Sequence, residues 1–272
     1  MLRRPLATVF ERAQVLWGYK YFVISSVRNE LVASLTRSRL GVFWLFAQPL
    51  SLVIIYALIL SNVLSAKLPG VEGQYAYAIY LTSGILGWTL FSEGVGRGTT
   101  LFIDSADMMK KLSFPRVALP AVMLGTMFVQ NLLFFLVTLS VFLLLGHSFS
   151  WTMFWVPVLM VLFGGFGAGI GLVCGAINVF IRDVGQLIPI LLQFAFWFTP
   201  IVYPVTIIPA SYQGLYDLNI MYWFVSAYHD TIVYGNAPDA MHLLVMVAGC
   251  MVSILAAGFI FRRASPEMVD VL

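Results

Sequence analysis

The residues of this chain that are able to do acid–base or metal chemistry are few and far apart. The three histidines are His147, His229 and His242, and neither an HExxH motif nor a CxxC pair occurs. A protein zinc site needs three or four His, Cys or carboxylate ligands, so the sequence indicates no metal site.

Nucleotide-binding motifs are missing as well. No lysine follows a glycine, so the chain lacks the GxxxxGK[ST] loop that holds phosphate groups, and no GxGxxG occurs. The glycine-rich residues 164–175 instead contain small-xxx-small pairs, Gly167/Gly171 and Gly171/Gly175, which let helices approach closely. We therefore predict that this chain has no catalytic residue and no cofactor, and that these glycines serve helix packing.

The composition indicates that lipid surrounds most of the chain. Of its 272 residues, 61% are hydrophobic and only 10% are charged, whereas about a quarter of the residues of an ordinary globular domain are charged. A soluble fold of this size could not cover its surface with so few charged side chains. The net charge of +3 is small, and we expect membrane lipids rather than nucleic acid as partners.

Uncharged runs of about 20 residues, the length of a membrane-crossing helix, recur along the chain. They predict an all-α, polytopic membrane protein with six transmembrane helices in residues 41–262, at about 41–64, 75–93, 117–145, 153–181, 184–202 and 241–261. Residues 203–235 are apolar but interrupted by prolines and acids. For this segment we expect re-entrant helices at the outer face, because irregular backbone at membrane depth must be shielded by protein or a water-filled cavity.

The basic residues predict the orientation. If the N-terminus is cytoplasmic, every Lys and Arg except Lys67 falls on the cytoplasmic side, as the positive-inside rule expects. A seventh span would move Arg262 and Arg263 to the outer side. We therefore predict a multi-pass protein of the bacterial cytoplasmic (inner) membrane, in which residues 1–40 and the tail 263–272 are both cytoplasmic.

Two cytoplasmic helices are predicted outside the spans. Residues 17–36 repeat apolar side chains at spacings of three and four, which is typical of an amphipathic helix lying in the membrane interface. Residues 104–111 place acids at the start and lysines at the end of a short helix, which suits the helix dipole. Each helix is either a simple anchor or loop element, or a contact for a soluble partner.

The predicted spans carry no acid or base near the middle of the membrane, and Glu93 lies at the cytoplasmic end of span two. Proton-coupled carriers place ionisable residues at mid-membrane, where the coupling ion binds. This pattern disfavours a secondary carrier and indicates that the energy for transport enters from another polypeptide.

Five motifs, taken together, resemble type-2 ABC exporter permeases of polysaccharides. They are SRLGVFWLFAQP at 38–49, LSFPRVALP at 112–120, NVFIRDVGQLIP at 178–189, FTPIVYP at 198–204, and FRR with VDVL at the C-terminus. The resemblance extends from about residue 20 to the end of the chain, and the motifs occur in the family's order.

The resemblance implies a permease for lipid-linked glycans such as the O-antigen of lipopolysaccharide, capsule or teichoic acid. It implies a homodimer with a channel at the dimer interface, bound to two copies of a separate ATP-binding cassette subunit. ATP and Mg²⁺ would be held by that subunit, so this chain is a transport subunit and not an enzyme.

Carried over residue by residue, the resemblance suggests three groups of functional positions. The channel-lining candidates are Trp44, Trp88, Phe91, Phe194, Phe198 and Tyr203. The candidates for coupling to the ATPase are Arg37, Arg39, Leu40, Gly41, Asp104, Asp107, Lys110, Lys111 and Arg116. The cytoplasmic turn between spans four and five is marked by Arg182 and Asp183.

Two alternatives stay open at this point. One is an ABC exporter permease for a drug or haem. The other is an integral-membrane enzyme acting on lipid-linked intermediates, for which Asp217, His229 and Asp230 on the outer side would be the candidate residues.

Overall fold

The long uncharged runs of the sequence form helices. A computed structural model describes residues 18–36, 43, 47, 51, 54–55, 75–111, 117–144 and 146–271. All regular structure in these residues is helical. Its elements are α1 (Lys20–Thr36), α2 (Ala76–Asp104), α3 (Ala106–Lys111), α4 (Ala118–Leu144), α5 (Val156–Phe180), α6 (Asp183–Phe198), α7 (Ala210–Tyr216), α8 (Ile220–His229) and α9 (Ala240–Val271), with 3-10 turns at Trp151–Trp155 and Val205–Ile207 and a π turn at Asp230–Tyr234.

Capping side chains set the starts of several helices. The side-chain oxygen of Asn219 accepts a hydrogen bond from the Met221 backbone N–H at 3.0 Å at the start of α8. Asp239 does the same at the start of α9, where it accepts from the N–H groups of Met241 and His242. Such caps satisfy backbone donors that have no partner within the helix.

Three helical stretches are long and apolar enough to cross a membrane: Ala118–Leu144, Trp151–Phe180 and Ala240–Ala264. The apolar helix α6 is shorter. These observations confirm the predicted all-helical, multi-pass architecture. The count of six spans stays a prediction, because most of residues 41–64 lie outside the described residues.

The long helices α2, α4, α5 and α6 alternate in direction along the chain. Along α2, contacts with α4 pass from Leu86–Asn131 to Gly94–Met127, so these two helices are antiparallel. Gly84 of α2 lies against Ile201, just beyond the end of α6, and Trp88 lies against Phe196 of α6. The helices α2 and α6 are therefore antiparallel as well. This order is that of a chain crossing a layer back and forth.

The helices α2 and α5 run parallel and touch through glycines. A methyl group on Gly94 would lie 2.9 Å from the Ala168 backbone nitrogen, and one on Gly98 would lie 2.7 Å from the Gly171 carbonyl carbon. A methyl group on Gly175 would collide with the Gly98 carbonyl oxygen. We call these positions on α2 and α5 the glycine interface, and it confirms the predicted packing role of the glycine-rich run.

Among the described residues, the two ends of the bundle differ in their content of lysine and arginine. At the end where α2, α5 and α9 finish, exposed cations cluster, and Phe102 of α2 stacks on Phe261 of α9 with ring centroids 5.3 Å apart. We call it the basic end; its exposed described cations include Lys110, Arg182, Arg262 and Arg263. The segments 146–155 and 230–235 meet at the opposite end, where His147 Nε2 lies 2.7 Å from the Ile232 carbonyl oxygen.

Two helices extend beyond the predicted span boundaries. The helix α2 continues past Glu93 to Asp104, so Arg97 lies on the helix and not in the loop to which the sequence assigned it. The helix α9 continues past Arg263 to Val271 through the predicted tail. At a rise of about 1.5 Å per residue, α2 is about 43 Å long, which exceeds a hydrocarbon core of about 30 Å.

Candidate substrate pathway and coupling face

One face of α6 is apolar, aromatic and without a packing partner among the described residues. Phe194, Trp197 and Phe198 are 61%, 59% and 70% exposed, and Leu187, Ile190 and Leu191 continue the same face toward the start of the helix. The spacings of three and four residues place these side chains on one stripe. We call it the α6 face, and it carries two of the predicted channel residues, Phe194 and Phe198.

Tyr203 lies directly beyond this face and is held in place by hydrogen bonds. Its hydroxyl donates to the Trp197 carbonyl oxygen at 2.6 Å and lies 3.4 Å from the Tyr216 hydroxyl. Burial raises the pKa of Tyr203, and the hydrogen bond with Tyr216 raises it further. The hydroxyl therefore stays a hydrogen-bond donor over the whole physiological pH range.

Two other predicted channel residues are buried within the chain. Trp88 of α2 packs edge-on against Phe196 of α6 at 5.7 Å, and Phe91 stacks on Phe163 of α5 at 4.9 Å. Both side chains hold α2 against its neighbouring helices within the chain. Trp44, the sixth predicted channel residue, lies outside the described residues.

At the opposite end from the cations, α8 packs deeply into the bundle. The ring of Tyr228 lies against Gly87, where a methyl group would come within 2.8 Å, and Phe224 stacks on Phe163 at 4.4 Å. The tyrosines of α2 join the same region: the Tyr77 hydroxyl donates to the Val202 carbonyl oxygen at 2.6 Å. The segment after α6 is therefore an ordered cover over one end of the bundle, not a loose loop.

Two of the three residues that an enzyme would use, His229 and Asp230, are engaged in contacts within the bundle, whereas Asp217 is exposed. His229 is buried and stacks on Tyr80 with ring centroids 3.7 Å apart. The Asp230 carboxylate accepts a hydrogen bond from the Ser226 hydroxyl at 3.4 Å. In the part of the chain that the structure describes, no group of three His, Cys, Asp or Glu residues is arranged to hold a metal ion.

The predicted coupling residues that are described lie at the basic end. Asp104 is the exposed last residue of α2, and Asp107 and Lys110 are exposed on the short helix α3. The remaining candidates lie outside the described residues, as does the side chain of Lys111; they are Arg37, Arg39, Leu40, Gly41 and Arg116.

The predicted turn between spans four and five is held by one asparagine. Arg182 precedes α6 and Asp183 is its first residue, and both are exposed. The buried Asn178 side chain accepts a hydrogen bond from the Gly185 N–H at 2.8 Å and donates to the Thr99 carbonyl oxygen on α2 at 2.9 Å. The amide thus fixes the turn to two helices and presents Arg182 and Asp183 to the surface of the basic end.

Comparison with known proteins identifies the family. The model of the family described as "ABC-2 type transporter" matches residues 22–233, which is most of the chain. The chain belongs to the ABC-2 type transporter family. The resemblance inferred from the five motifs is therefore confirmed at the level of the family.

Individual members of the ABC-2 type transporter family match this chain almost from end to end. The O-antigen export system permease protein RfbA of Myxococcus xanthus is 28% identical over 261 residues, covering 94% of this chain and 96% of that protein. Proteins of the same name from Klebsiella pneumoniae are 23% identical with the same coverage.

Within this ABC-2 transporter chain, the structure adds functional candidates that the sequence analysis missed. Trp197 belongs to the α6 face, and its spacing from Phe194 and Phe198 would have revealed it. Arg97 forms ion pairs with Glu30 of α1 and, at 3.2 Å, with Glu93 of its own helix. The spacing of Glu93 and Arg97 signals the pair within α2, but no sequence pattern points to Glu30.

Proposed function

We propose that this chain is the membrane-spanning permease subunit of an ATP-driven exporter of lipid-linked polysaccharide. The observation that carries the proposal is the match to three permeases named for O-antigen export, which covers nearly the full length of both partners.

The topology of the proposal has six spans, with both termini and the basic end in the cytoplasm of a bacterium. Its support is the alternating direction of α2, α4, α5 and α6, together with the concentration of cations at one end. Cytoplasmic loops of membrane proteins carry an excess of Lys and Arg. The segment containing α7 and α8 then covers the outer end of the bundle, as the re-entrant helices of the prediction would.

The α6 face is the proposed wall of the substrate pathway. In the proposed dimer, the α6 faces of the two chains would face each other, so that the rings of Phe194, Trp197 and Phe198 line a path between the protomers. Trp44 and Tyr203 complete the proposed lining. Trp88 and Phe91 would meet a glycan only after α2 separates from its neighbours.

The chemistry of this face suits a long polar polymer. Aromatic rings pack against the C–H faces of sugars, while tyrosine hydroxyls exchange hydrogen bonds with sugar hydroxyls. Such contacts are weak and repeated, so each sugar unit is able to leave as readily as it arrives. The described α6 face carries no charged side chain between Leu187 and Phe198 that would hold a charged polymer in place.

Energy enters this system at the basic end. The chain has no phosphate-binding loop, and we expect two copies of an ATP-binding cassette subunit to contact α1, α3 and the exposed Asp104, Asp107 and Lys110. The predicted positions outside the described residues, from Arg37 to Gly41 and at Arg116, belong to the same contact.

Co-expression with an ATP-binding cassette subunit from the same organism tests the proposal. We expect a purified complex of two permease and two ATPase subunits that hydrolyses ATP. In vesicles, this complex should move a lipid-linked glycan across the bilayer in an ATP-dependent manner. If a stable complex moves a drug or haem but no glycan, the proposed substrate is wrong. If no ATPase subunit binds this chain, the whole proposal is overturned.

A further inference from the structure

A cluster of charged side chains joins three helices near the basic end. The Arg97 guanidinium on α2 pairs with Glu30 on α1 and with Glu93 one turn earlier on α2, where the atoms are 3.2 Å apart. The second carboxylate oxygen of Glu30 accepts a hydrogen bond from the Thr126 hydroxyl on α4 at 3.0 Å. We call Glu30, Glu93, Arg97 and Thr126 the Arg97 cluster.

The cluster lies where α2 leaves the membrane in the proposed topology. Glu93 is 17 positions after Ala76, the first residue of α2, and about 1.5 Å of rise per residue places it roughly 25 Å along the helix. A hydrocarbon core is about 30 Å thick. The charged side chains therefore sit at the cytoplasmic boundary, and they are partly exposed rather than enclosed.

Each charged member of the contact between α1 and α2 has a second partner. If α1 moves away from α2, Arg97 keeps Glu93 on its own helix, and Glu30 keeps the Thr126 hydroxyl. A buried or half-buried charge left unpaired costs free energy, and this arrangement avoids that cost in both positions. The contact is therefore suited to breaking and re-forming repeatedly.

The helix α2 is in turn tied to the centre of the bundle. About one turn of α2 around Arg97 forms the glycine interface with α5, in which Gly94 and Gly98 leave almost no space between the backbones. A force that reaches Arg97 is thus applied to α2 and α5 together. The helix α1 also packs along α4, where Val27 lies against Gly125.

We propose that the Arg97 cluster transmits displacement of α1 to the α2–α5 pair and thereby couples ATP hydrolysis to export. Glu30 and Arg97 are positioning residues in this role, because they touch neither glycan nor nucleotide. The inference rests on the proposed function, in which α1 contacts the ATPase subunit.

The test compares export with ATP hydrolysis in vesicles containing the complete complex. The variants are Glu30→Gln, Arg97→Gln and the charge-exchanged double variant Glu30→Arg/Arg97→Glu. Arg263→Gln and Glu267→Gln, exposed on α9 at the same end, repeat the two charge changes outside the cluster and serve as matched controls.

We expect both single variants to assemble and hydrolyse ATP like the unchanged complex. Glycan moved per ATP hydrolysed should fall roughly five- to tenfold, the range expected when one linking interaction is lost. The double variant should recover most of the loss, because it restores an ion pair between α1 and α2. A merely structural role would lower assembly and both activities together, and it would not be rescued.

The outcomes separate this inference from the proposed function. If the unchanged complex neither exports glycan nor hydrolyses ATP, the proposed function fails. If it does both, and the single variants export as much glycan per ATP, the coupling role alone is overturned; loss of ATP hydrolysis in parallel with export overturns it too.

Charge-retaining variants cover the case in which the neutral ones do not assemble. Glu30→Asp and Arg97→Lys keep the charges but shorten or alter the contact, since lysine lacks the planar two-pronged geometry of arginine. Reduced export per ATP in these variants supports the coupling role, and unchanged export per ATP overturns it.

Discussion

Gly96 and Gly98 are two residues apart on α2, but a methyl group would meet different surroundings at each. At Gly98 it would lie 2.7 Å from the carbonyl carbon and 2.8 Å from the Cα of Gly171. At Gly96 no atom lies within 4 Å. Backbone atoms of a packed helix cannot move aside as a flexible side chain would, so the two positions should tolerate alanine very differently.

We predict that Gly98→Ala destabilises the protein and that Gly96→Ala does not. Overpacking of a close contact costs about 1–3 kcal/mol, and each kcal/mol shifts Tm by about 2–4 °C in chains approaching this size. Alanine at an open helix position instead gains up to about 1 kcal/mol over glycine. Thermal unfolding of the detergent-purified variants measures the difference, and equal Tm values would contradict the glycine interface.

The exposed rings of the α6 face have a matched counterpart elsewhere. Phe259 on α9 is 67% exposed, close to the 70% of Phe198, but it lies on a different helix. We predict that Phe194→Ala and Phe198→Ala lower glycan export several-fold, of the order reported for losing one or two stacking contacts of about 1 kcal/mol each, whereas Phe259→Ala leaves it unchanged.

Dimer assembly and ATP hydrolysis control for this comparison. Truncating an exposed ring removes little packing within the protomer, so both should stay intact in all three variants. Export that is unaffected in the α6 variants, or reduced equally by Phe259→Ala, would speak against the α6 face as the pathway wall.

At the level of single residues, the sequence could not separate Trp88 and Phe91 from Phe194 and Phe198. All four are aromatic residues within apolar helices. A membrane helix is apolar on the sides that face lipid as well as those that face protein, so the pattern does not tell which side is buried. The structure separates them through their neighbours: Phe163 and Phe196 bury the first two rings.

Among the helices, the prediction succeeded best in the middle of long apolar runs. The runs at 117–145 and 153–181 closely match α4 and the Trp151–Phe180 stretch. The predicted helix end was least accurate for α2, because the prediction placed the end of this helix at Glu93. Glu93 and Arg97 are four residues apart and pair on one side of the helix, which lets the helix continue through its first charged residues.

The contact between α1 and α4 offers a direct test of whether these two helices stay together during transport. A Cβ atom at Gly125 would lie 3.9 Å from the Val27 Cβ, within the range of about 3.5–4.5 Å that a disulfide requires. The clash with a Val27 methyl disappears when both residues become cysteine. We predict that Val27→Cys/Gly125→Cys forms a disulfide on oxidation and that export continues, because Glu30 of α1 keeps its hydrogen bond to Thr126 of α4 when α1 moves away from α2.

The single variants Val27→Cys and Gly125→Cys are the controls, since each retains the native Cys174 and Cys250. Oxidation should leave their export unchanged. Loss of export by the cross-linked double variant, restored by reductant, would instead mean that α1 moves against α4 and that Glu30 releases the Thr126 hydroxyl during transport.

At the scale of the whole molecule, exposed residues at the two ends of the bundle can test the proposed orientation in the membrane. Ser148 and Asp239 are exposed at the end covered by α8, and Lys110 is exposed at the basic end. With cysteine at each position in turn, a membrane-impermeant thiol reagent applied to intact spheroplasts should label Ser148→Cys and Asp239→Cys. Lys110→Cys should react only after the membrane is opened.

The unchanged protein, with its two native cysteines, gives the background for this labelling. If the reagent labels Lys110→Cys in intact spheroplasts, the orientation of the chain is the opposite of the proposed one. Labelling of Ser148→Cys and Asp239→Cys on different sides would exclude the predicted number of crossings between α4 and α9.

The overall architecture was predictable because few physical constraints decide it: span length, the placement of cations and the need to shield backbone in lipid. The Arg97 cluster was not predictable, because its members come from three helices separated by long stretches of sequence. The sequence pattern also did not predict how α8 is buried, because its burial depends on Gly84 and Gly87 of α2, which is distant in sequence.

The glycine interface also bears on how the chain is made. Its two sides, Gly94 and Gly98 on α2 and Gly171 and Gly175 on α5, are separated in sequence by the whole of α4. During synthesis α2 therefore enters the membrane before its parallel partner exists, and its glycines first face lipid or α4. The two helices come together only once α5 has been inserted, so biogenesis has a late step whose failure would leave a full-length but incompletely assembled chain for membrane proteases to remove.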